Sequence, residues 1–113
     1  MANTRKMPVK TQLIELTGEY EGWSFTGRTN PKMSTLDDIS SGVFRRISEG
    51  LAEVVLDWNF VDEEGNPLKS PGELKATGLL NGQITEAMGE LPIDLTLAVA
   101  KAISEAITNV PPN

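Results

Sequence analysis

The chain contains no cysteine and no histidine among its 113 residues. Without cysteine it has no disulfide, no thiolate nucleophile and no cysteine-based metal site, so its fold depends on packing alone. Without histidine it lacks the commonest metal ligand and the side chain best suited to proton transfer near neutral pH. It also lacks a Walker string and a Gly-x-Gly-x-x-Gly string for phosphate binding. We therefore expect a protein that is not an enzyme and that needs no cofactor.

Long apolar runs are also missing. No run approaches the ~18 to 20 residues that span a bilayer, and Met1 to Lys10 lacks the apolar stretch of a signal peptide. We expect a cytoplasmic protein that has no membrane contact. The length suits one domain with one modest core. We place that domain at residues 11–110, between a flexible basic tail at 1–10 and a short tail at 111–113.

The charge is acidic and unevenly distributed. The formal net charge is -6, but residues 1–33 carry +2 and the remainder carries -8. An acidic body argues against a nucleic-acid partner, because attraction to phosphates needs clustered lysine and arginine. The basic residues at the start of the chain are better explained as a solvated tail.

Two short runs near the N-terminus predict a β-hairpin. Gln12 to Leu16 and Tyr20 to Arg28 are separated by a turn-compatible Thr-Gly-Glu tripeptide. Strand alternation places Trp23 and Phe25 on one face, which needs cover because an isolated hairpin is marginal in water. A contact within the same chain is the favoured explanation, and a subunit interface is the alternative.

The next segment predicts one long amphipathic helix that begins at Ser34 or Thr35. The carboxylates of Asp37 and Asp38 suit the positive end of its dipole better than they suit a paired acid/base site. An apolar face then recurs at steps of three or four over about six turns. The residues of that face are Leu36, Ile39, Val43, Ile47, Leu51, Val54 and Trp58.

An acidic turn follows at Asp62 to Leu68. Counted from Asp62, its oxygen-bearing residues have EF-hand-like spacing, but Pro67 occupies the sixth position, where a calcium loop needs glycine. We therefore disfavour calcium binding. Glycines interrupt residues 69–90, where only short helical pieces around Glu73 to Leu80 and Gln83 to Met88 are predicted.

A last helix is predicted after Leu91-Pro92, with apolar residues around much of its circumference. Such a surface is either wrapped inside the domain or shared with another subunit, and the sequence leaves both alternatives open. The predicted fold class is α+β: an N-terminal β-hairpin followed by a mainly α-helical domain with one long amphipathic helix and a C-terminal helix.

Two strings in the sequence form a recognisable combination. The first is Gly-Glu-Tyr-Glu-Gly-Trp at residues 18–23, and the second is Trp-Asn-Phe at 58–60, followed by an acidic Gly-Asn-Pro turn. In this combination the chain resembles the phage tail assembly chaperones. The resemblance implies a non-enzymatic protein that binds the tape-measure protein of a long-tailed phage, keeps it soluble and helps to recruit tail-tube subunits. It also implies action in the host cytoplasm and absence from the mature virion.

On this interpretation we expect a homo-oligomer whose apolar faces shield the partner. The predicted partner-binding residues come from the hairpin, the end of the long helix and the last helix. They are Trp23, Phe25, Val54, Trp58, Phe60, Leu97, Ile103 and Ile107. Two alternatives remain: a small structural tail or head-tail protein that forms rings in the virion, and an acidic phage inhibitor that imitates nucleic acid to block a host protein.

Overall fold

A computed structural model describes residues Met7 to Asn109 and confirms the α+β class. Three antiparallel strands form one sheet in the order β1-β2-β3. The strands are β1 Thr11–Glu15, β2 Ser24–Arg28 and β3 Val55–Trp58. The helices are α1 Met33–Ile39, α2 Phe44–Val54, α3 Pro71–Ala76, α4 Asn81–Met88 and α5 Ile93–Thr108.

The predicted hairpin is confirmed as β1 and β2. Its connection contains a short 3-10 turn at Gly18–Tyr20, and the amide of Leu16 donates a 2.8 Å hydrogen bond to the carbonyl oxygen of Trp23. Phe25 is fully buried and Trp23 lies against Phe60. The hairpin face is therefore covered by the same chain.

The prediction of one long helix from Ser34 to Trp58 is wrong. Helix α1 begins at Met33 and ends at Ile39, and Gly42 then adopts a φ of +76°. This left-handed conformation is easy only for glycine, and it turns the chain before α2 begins. The periodic apolar pattern continued across the break because α1 and α2 both bury residues in the same core.

Helix α2 ends at Val54, and the chain continues directly into β3. Val55 pairs with Gly27 and Trp58 pairs with Phe25, so the last residues of the predicted helix form the third strand. A β-branched pair of valines at the junction suits extended backbone better than helix. Trp58 thereby lies on the sheet and not on a helical face.

Asp37 and Asp38 do not lie in the first turn of α1, which contains no acidic residue, so their assignment to the helix start is also wrong. Both carboxylates accept hydrogen bonds from Arg46 of α2, at 2.9 and 3.0 Å. These pairs hold α1 against α2. Arg45 and Glu49, four residues apart on α2, form a further ion pair with 3.4 Å between nitrogen and oxygen.

Helix α5 packs against the sheet at Gly27. A β-carbon added to this glycine would lie 2.6 Å from Cδ1 of Ile103 and 3.3 Å from Cε2 of Phe25. The last helix is thus largely wrapped inside the domain, with five buried residues, although Ile93 and Leu97 remain exposed.

The glycine-rich segment contains two short helices, as predicted. Ser70 begins α3 with a capping box, in which its hydroxyl accepts from the amide of Glu73 and the Glu73 carboxylate accepts from the amide of Ser70. Helix α3 packs against β3. Between β3 and α3, an isolated bridge joins Val61 to Pro67 and closes the acidic turn.

Candidate partner-binding groove

Four aromatic side chains form a continuous series on the side of the sheet that faces the core. The rings of Trp58 and Phe60 are stacked, with centroids 4.6 Å apart and planes inclined by 17°. Trp23 lies 5.3 Å from Phe60, and Tyr20 meets the edge of Trp23 at the same distance. Such pairs contribute more than their buried area alone.

Asn59 joins the two strings that carry the family resemblance. Its side-chain oxygen accepts from the amide of Ser24 at 2.8 Å, and its side-chain nitrogen donates to the carbonyl oxygen of Gly22 at 3.2 Å. The Trp-Asn-Phe string is thus fastened to the Gly-Glu-Tyr-Glu-Gly-Trp loop. Residues far apart in sequence form one surface here.

An open groove of about 740 Å³ runs beside this series. Only Phe60 of the four aromatic residues is fully buried, whereas Tyr20, Trp23 and Trp58 are half-buried and line the groove. The other apolar walls come from the acidic turn, from α3, and from the end of α4 through the start of α5. They are Val61, Leu68, Leu74, Ala87, Met88, Leu91, Pro92 and Leu95. We call this surface the aromatic groove.

The rim of the aromatic groove is acidic. Among residues 7–109, Asp62, Glu63, Glu64 and Glu90 lie along it with a single cation, Lys69. Such a rim favours a partner that brings lysine or arginine beside its apolar residues.

Asp62 has a structural explanation of its own. Its Oδ1 accepts hydrogen bonds from the amides of Glu64 and Asn66, both at 2.9 Å, and so shapes the turn.

Between Met7 and Asn109, no group of three or more Asp, Glu, His or Cys residues could hold a metal ion.

Tyr20 marks the end of the aromatic groove nearest to α5. Desolvation, together with the neighbouring Asp94 carboxylate, raises the pKa of Tyr20 to about 12. A negative neighbour and partial removal from water both disfavour the phenolate. The phenol therefore keeps its proton up to a higher pH than an ordinary tyrosine, whose pKa is about 10.

The structure separates the predicted partner-binding residues into two groups. Phe25, Val54, Phe60 and Ile103 are fully or almost fully buried, with at most 1% of their surface exposed. A side chain in the core cannot reach a partner, so we assign these four residues to the core and remove them from the partner surface.

The four remaining predictions do not share one surface. Trp23 and Trp58 line the aromatic groove. Leu97 is 46% exposed on α5 outside that groove, and Ile107 is half-buried against the core.

Sequence reasoning did not identify most of the groove walls. Leu68, Leu74 and Leu91 lie in segments whose composition indicates a turn or an interrupted helix, without a periodic apolar pattern. The signal that was available is the Ser-Pro-Gly-Glu string at 70–73, a capping-box pattern that fixes the start of α3 and hence the position of Leu74.

Comparison with protein-family models, curated proteins and solved structures finds no match for this chain. In the part of the chain that the structure covers, no helix is both long enough and apolar enough to cross a membrane.

Proposed function

We propose that this protein is a non-enzymatic phage tail assembly chaperone that binds an apolar helical segment of a tape-measure protein. The observation that carries the proposal is the aromatic groove itself, which combines the two strings of the family resemblance in one partly exposed surface. The chaperone acts in the host cytoplasm during assembly and helps to recruit tail-tube subunits. It leaves before the virion is complete.

The groove suits one face of a helix. Its walls are leucine, methionine and aromatic side chains, which accept apolar anchors spaced three or four residues apart on a partner helix. Tape-measure helices have to be kept from self-association until the tail tube surrounds them. Apolar contact with the tryptophans provides that shielding, and it is only weakly sensitive to salt.

The acidic rim selects among apolar helices. Glu63, Glu64 and Glu90 attract helices whose apolar face is flanked by lysine or arginine, and they repel acidic ones. The net charge of -6 also keeps a complex with many copies of this chain soluble.

Co-expression with the tape-measure protein encoded in the same genome tests the proposal. We expect a soluble complex, recovered by pull-down, whose mass corresponds to several copies of this chain and which persists as salt is raised. Leu74→Glu places a charge in the groove wall and should abolish recovery. Leu80→Glu is the matched control, because Leu80 is 73% exposed and lies outside the aromatic groove.

Three outcomes would contradict the proposal or its site. An insoluble tape-measure protein beside a free copy of this chain would exclude the chaperone function. Detection of this chain in purified particles would instead support a permanent virion component. Equal loss of binding in both leucine variants would show that the partner does not bind specifically at the aromatic groove.

A further inference from the structure

The outer edge of β1 offers backbone hydrogen-bonding groups that no described strand uses. In the sheet order β1-β2-β3, β1 is an edge strand and pairs only with β2 across residues 7–109. At the opposite edge of the sheet, α3 packs against β3. An uncovered edge is a template for another strand, and proteins generally block such edges unless they are used.

The register with β2 determines which groups of β1 point outward. The amide of Thr29 donates to the carbonyl oxygen of Lys10 at 2.9 Å, and the amide of Leu16 donates to the carbonyl oxygen of Trp23 at 2.8 Å. Hydrogen-bonded pairs alternate along an antiparallel ladder. The even-numbered residues of β1 therefore bond to β2, and the odd-numbered residues Thr11, Leu13 and Glu15 direct their N–H and C=O groups outward.

We infer that β1 pairs antiparallel with β1 of a second copy of this chain about a two-fold axis at Leu13. In that register Leu13 faces Leu13 of the second copy, and Thr11 faces Glu15 in both directions. Every facing pair then joins two odd-numbered residues, so about six backbone hydrogen bonds form without any rearrangement of the existing ladder. The two sheets become one continuous six-stranded sheet.

Side chains beside the edge favour a second copy over another occupant. Leu13 is 62% exposed, and the proposed axis places its apolar side chain against its own equivalent. An antiparallel pair of non-polar residues at the centre, flanked by polar Thr11 and Glu15, is self-complementary. A two-fold interface requires this property.

Charged residues of α5 are complementary between the two copies when they are related by the same two-fold axis. Lys101 and Glu105 line a groove between α5 and β1, together with Ala98, Ala102 and Ala106. Ile103 of α5 lies against Gly27 of β2, and Gly27 pairs with Gln12 of β1. Residue 103 is therefore the part of α5 that lies close to Leu13 along the strand. Two antiparallel α5 helices centred there place Lys101 of one copy opposite Glu105 of the other. The alanines keep the approach between the helices unobstructed.

The decisive variant is Leu13→Pro in the full chain. Proline removes an outward N–H at the axis but none of the bonds to β2, and edge strands tolerate proline at such a position. We expect the wild-type protein to sediment as a dimer within about 1 to 500 μM. Leu13→Pro should weaken association at least tenfold and leave the circular dichroism spectrum and thermal midpoint nearly unchanged.

Cysteine substitution tests the register independently, because the chain has no cysteine of its own. Directly opposed hydrogen-bonded residues have Cα atoms about 5.5 Å apart, within the ~4.4 to 6.8 Å that a disulfide spans. Leu13→Cys should therefore give a covalent dimer on mild oxidation. Glu15→Cys is the matched control, because in this register residue 15 faces residue 11, and it should form no covalent dimer under the same conditions.

A wild-type protein that stays monomeric throughout the concentration range would overturn the inference. So would an oligomer that survives Leu13→Pro while that variant remains folded. If Leu13→Pro does not fold, equal cross-linking of the two cysteine variants would overturn the inference instead. The inference does not depend on the proposed function, since each assay uses this chain alone.

Discussion

The indole N–H of Trp58 donates a 2.9 Å hydrogen bond to the carbonyl oxygen of Leu68. The bond joins the end of β3 to the last residue of the acidic turn and fixes the indole against Phe60. The donor of this half-buried tryptophan has a backbone partner, and that partner also closes the wall of the aromatic groove. Groove shape and folding stability are thus coupled at one residue.

Replacing Trp58 should reveal this coupling. Trp58→Phe keeps an aromatic ring but leaves the Leu68 carbonyl without its donor, and we expect it to lower the free energy of unfolding by about 1 to 3 kcal/mol more than Trp23→Phe does. Trp23 is the matched control, because its indole has no hydrogen bond among the described residues. Urea denaturation followed by circular dichroism measures both. Equal losses would show that the hydrogen bond contributes nothing beyond ring packing.

Two glycines should respond in opposite ways to alanine. Gly27→Ala places a methyl group 2.6 Å from Ile103 Cδ1 and should destabilise the protein by about 1 to 3 kcal/mol, because α5 has to move away from the sheet. Gly82→Ala, in the first turn of α4, meets nothing within 4 Å and should stabilise it by up to about 1 kcal/mol. Thermal unfolding of the two variants gives the comparison. A neutral Gly27→Ala would mean that Ile103 adapts to the added methyl group.

Local patterns predicted the ends of this fold better than its middle. The hairpin and α5 follow from strand alternation and from a sixteen-residue helical pattern, and both are present. The break between α1 and α2 was missed because apolar spacing cannot distinguish one helix from two helices that pack in the same core. Ser40-Ser41-Gly42 was the local cue, and the φ of +76° at Gly42 shows why it mattered.

The candidate site was only partly predictable for a related reason. Trp23 was named from the hairpin and Trp58 from the end of the predicted long helix, and both line the aromatic groove. The buried residues Phe25 and Phe60 were named with them, because neither a place on a strand face nor a place in a recognised string shows whether an aromatic side chain is exposed. Which aromatic residues stay accessible depends on the long-range pairing of Phe25 with Trp58.

The capping box at α3 supplies another quantitative test. Ser70 is fully buried and its hydroxyl accepts from the amide of Glu73, so Ser70→Ala should cost about 1 to 2 kcal/mol of unfolding free energy. Because α3 carries Leu74, the same variant should weaken partner binding in the co-expression assay. Ser34→Ala, at an exposed position that caps nothing, is the control. Equal stability of the two variants would exclude a structural role for the cap.

The single tyrosine allows a direct test of the electrostatics of the groove. Desolvation and the neighbouring Asp94 carboxylate raise the pKa of Tyr20 to about 12, so phenolate absorbance should appear about two pH units later than in the unfolded chain. Because the folded state holds its proton more tightly, this contribution to stability is complete below pH 10 and is lost as the pH rises towards 12.

Asp94→Asn removes the negative neighbour and should move the phenolate titration back towards its ordinary position, whereas Asp57→Asn, an exposed change on β3, should leave it in place. Titration of the folded protein by ultraviolet absorbance, with circular dichroism recorded at each pH, separates ionisation from unfolding. A Tyr20 pKa near its ordinary value in the folded wild-type protein would mean that the phenol is solvated and free of Asp94. In that case the end of the aromatic groove next to α5 would be open to water.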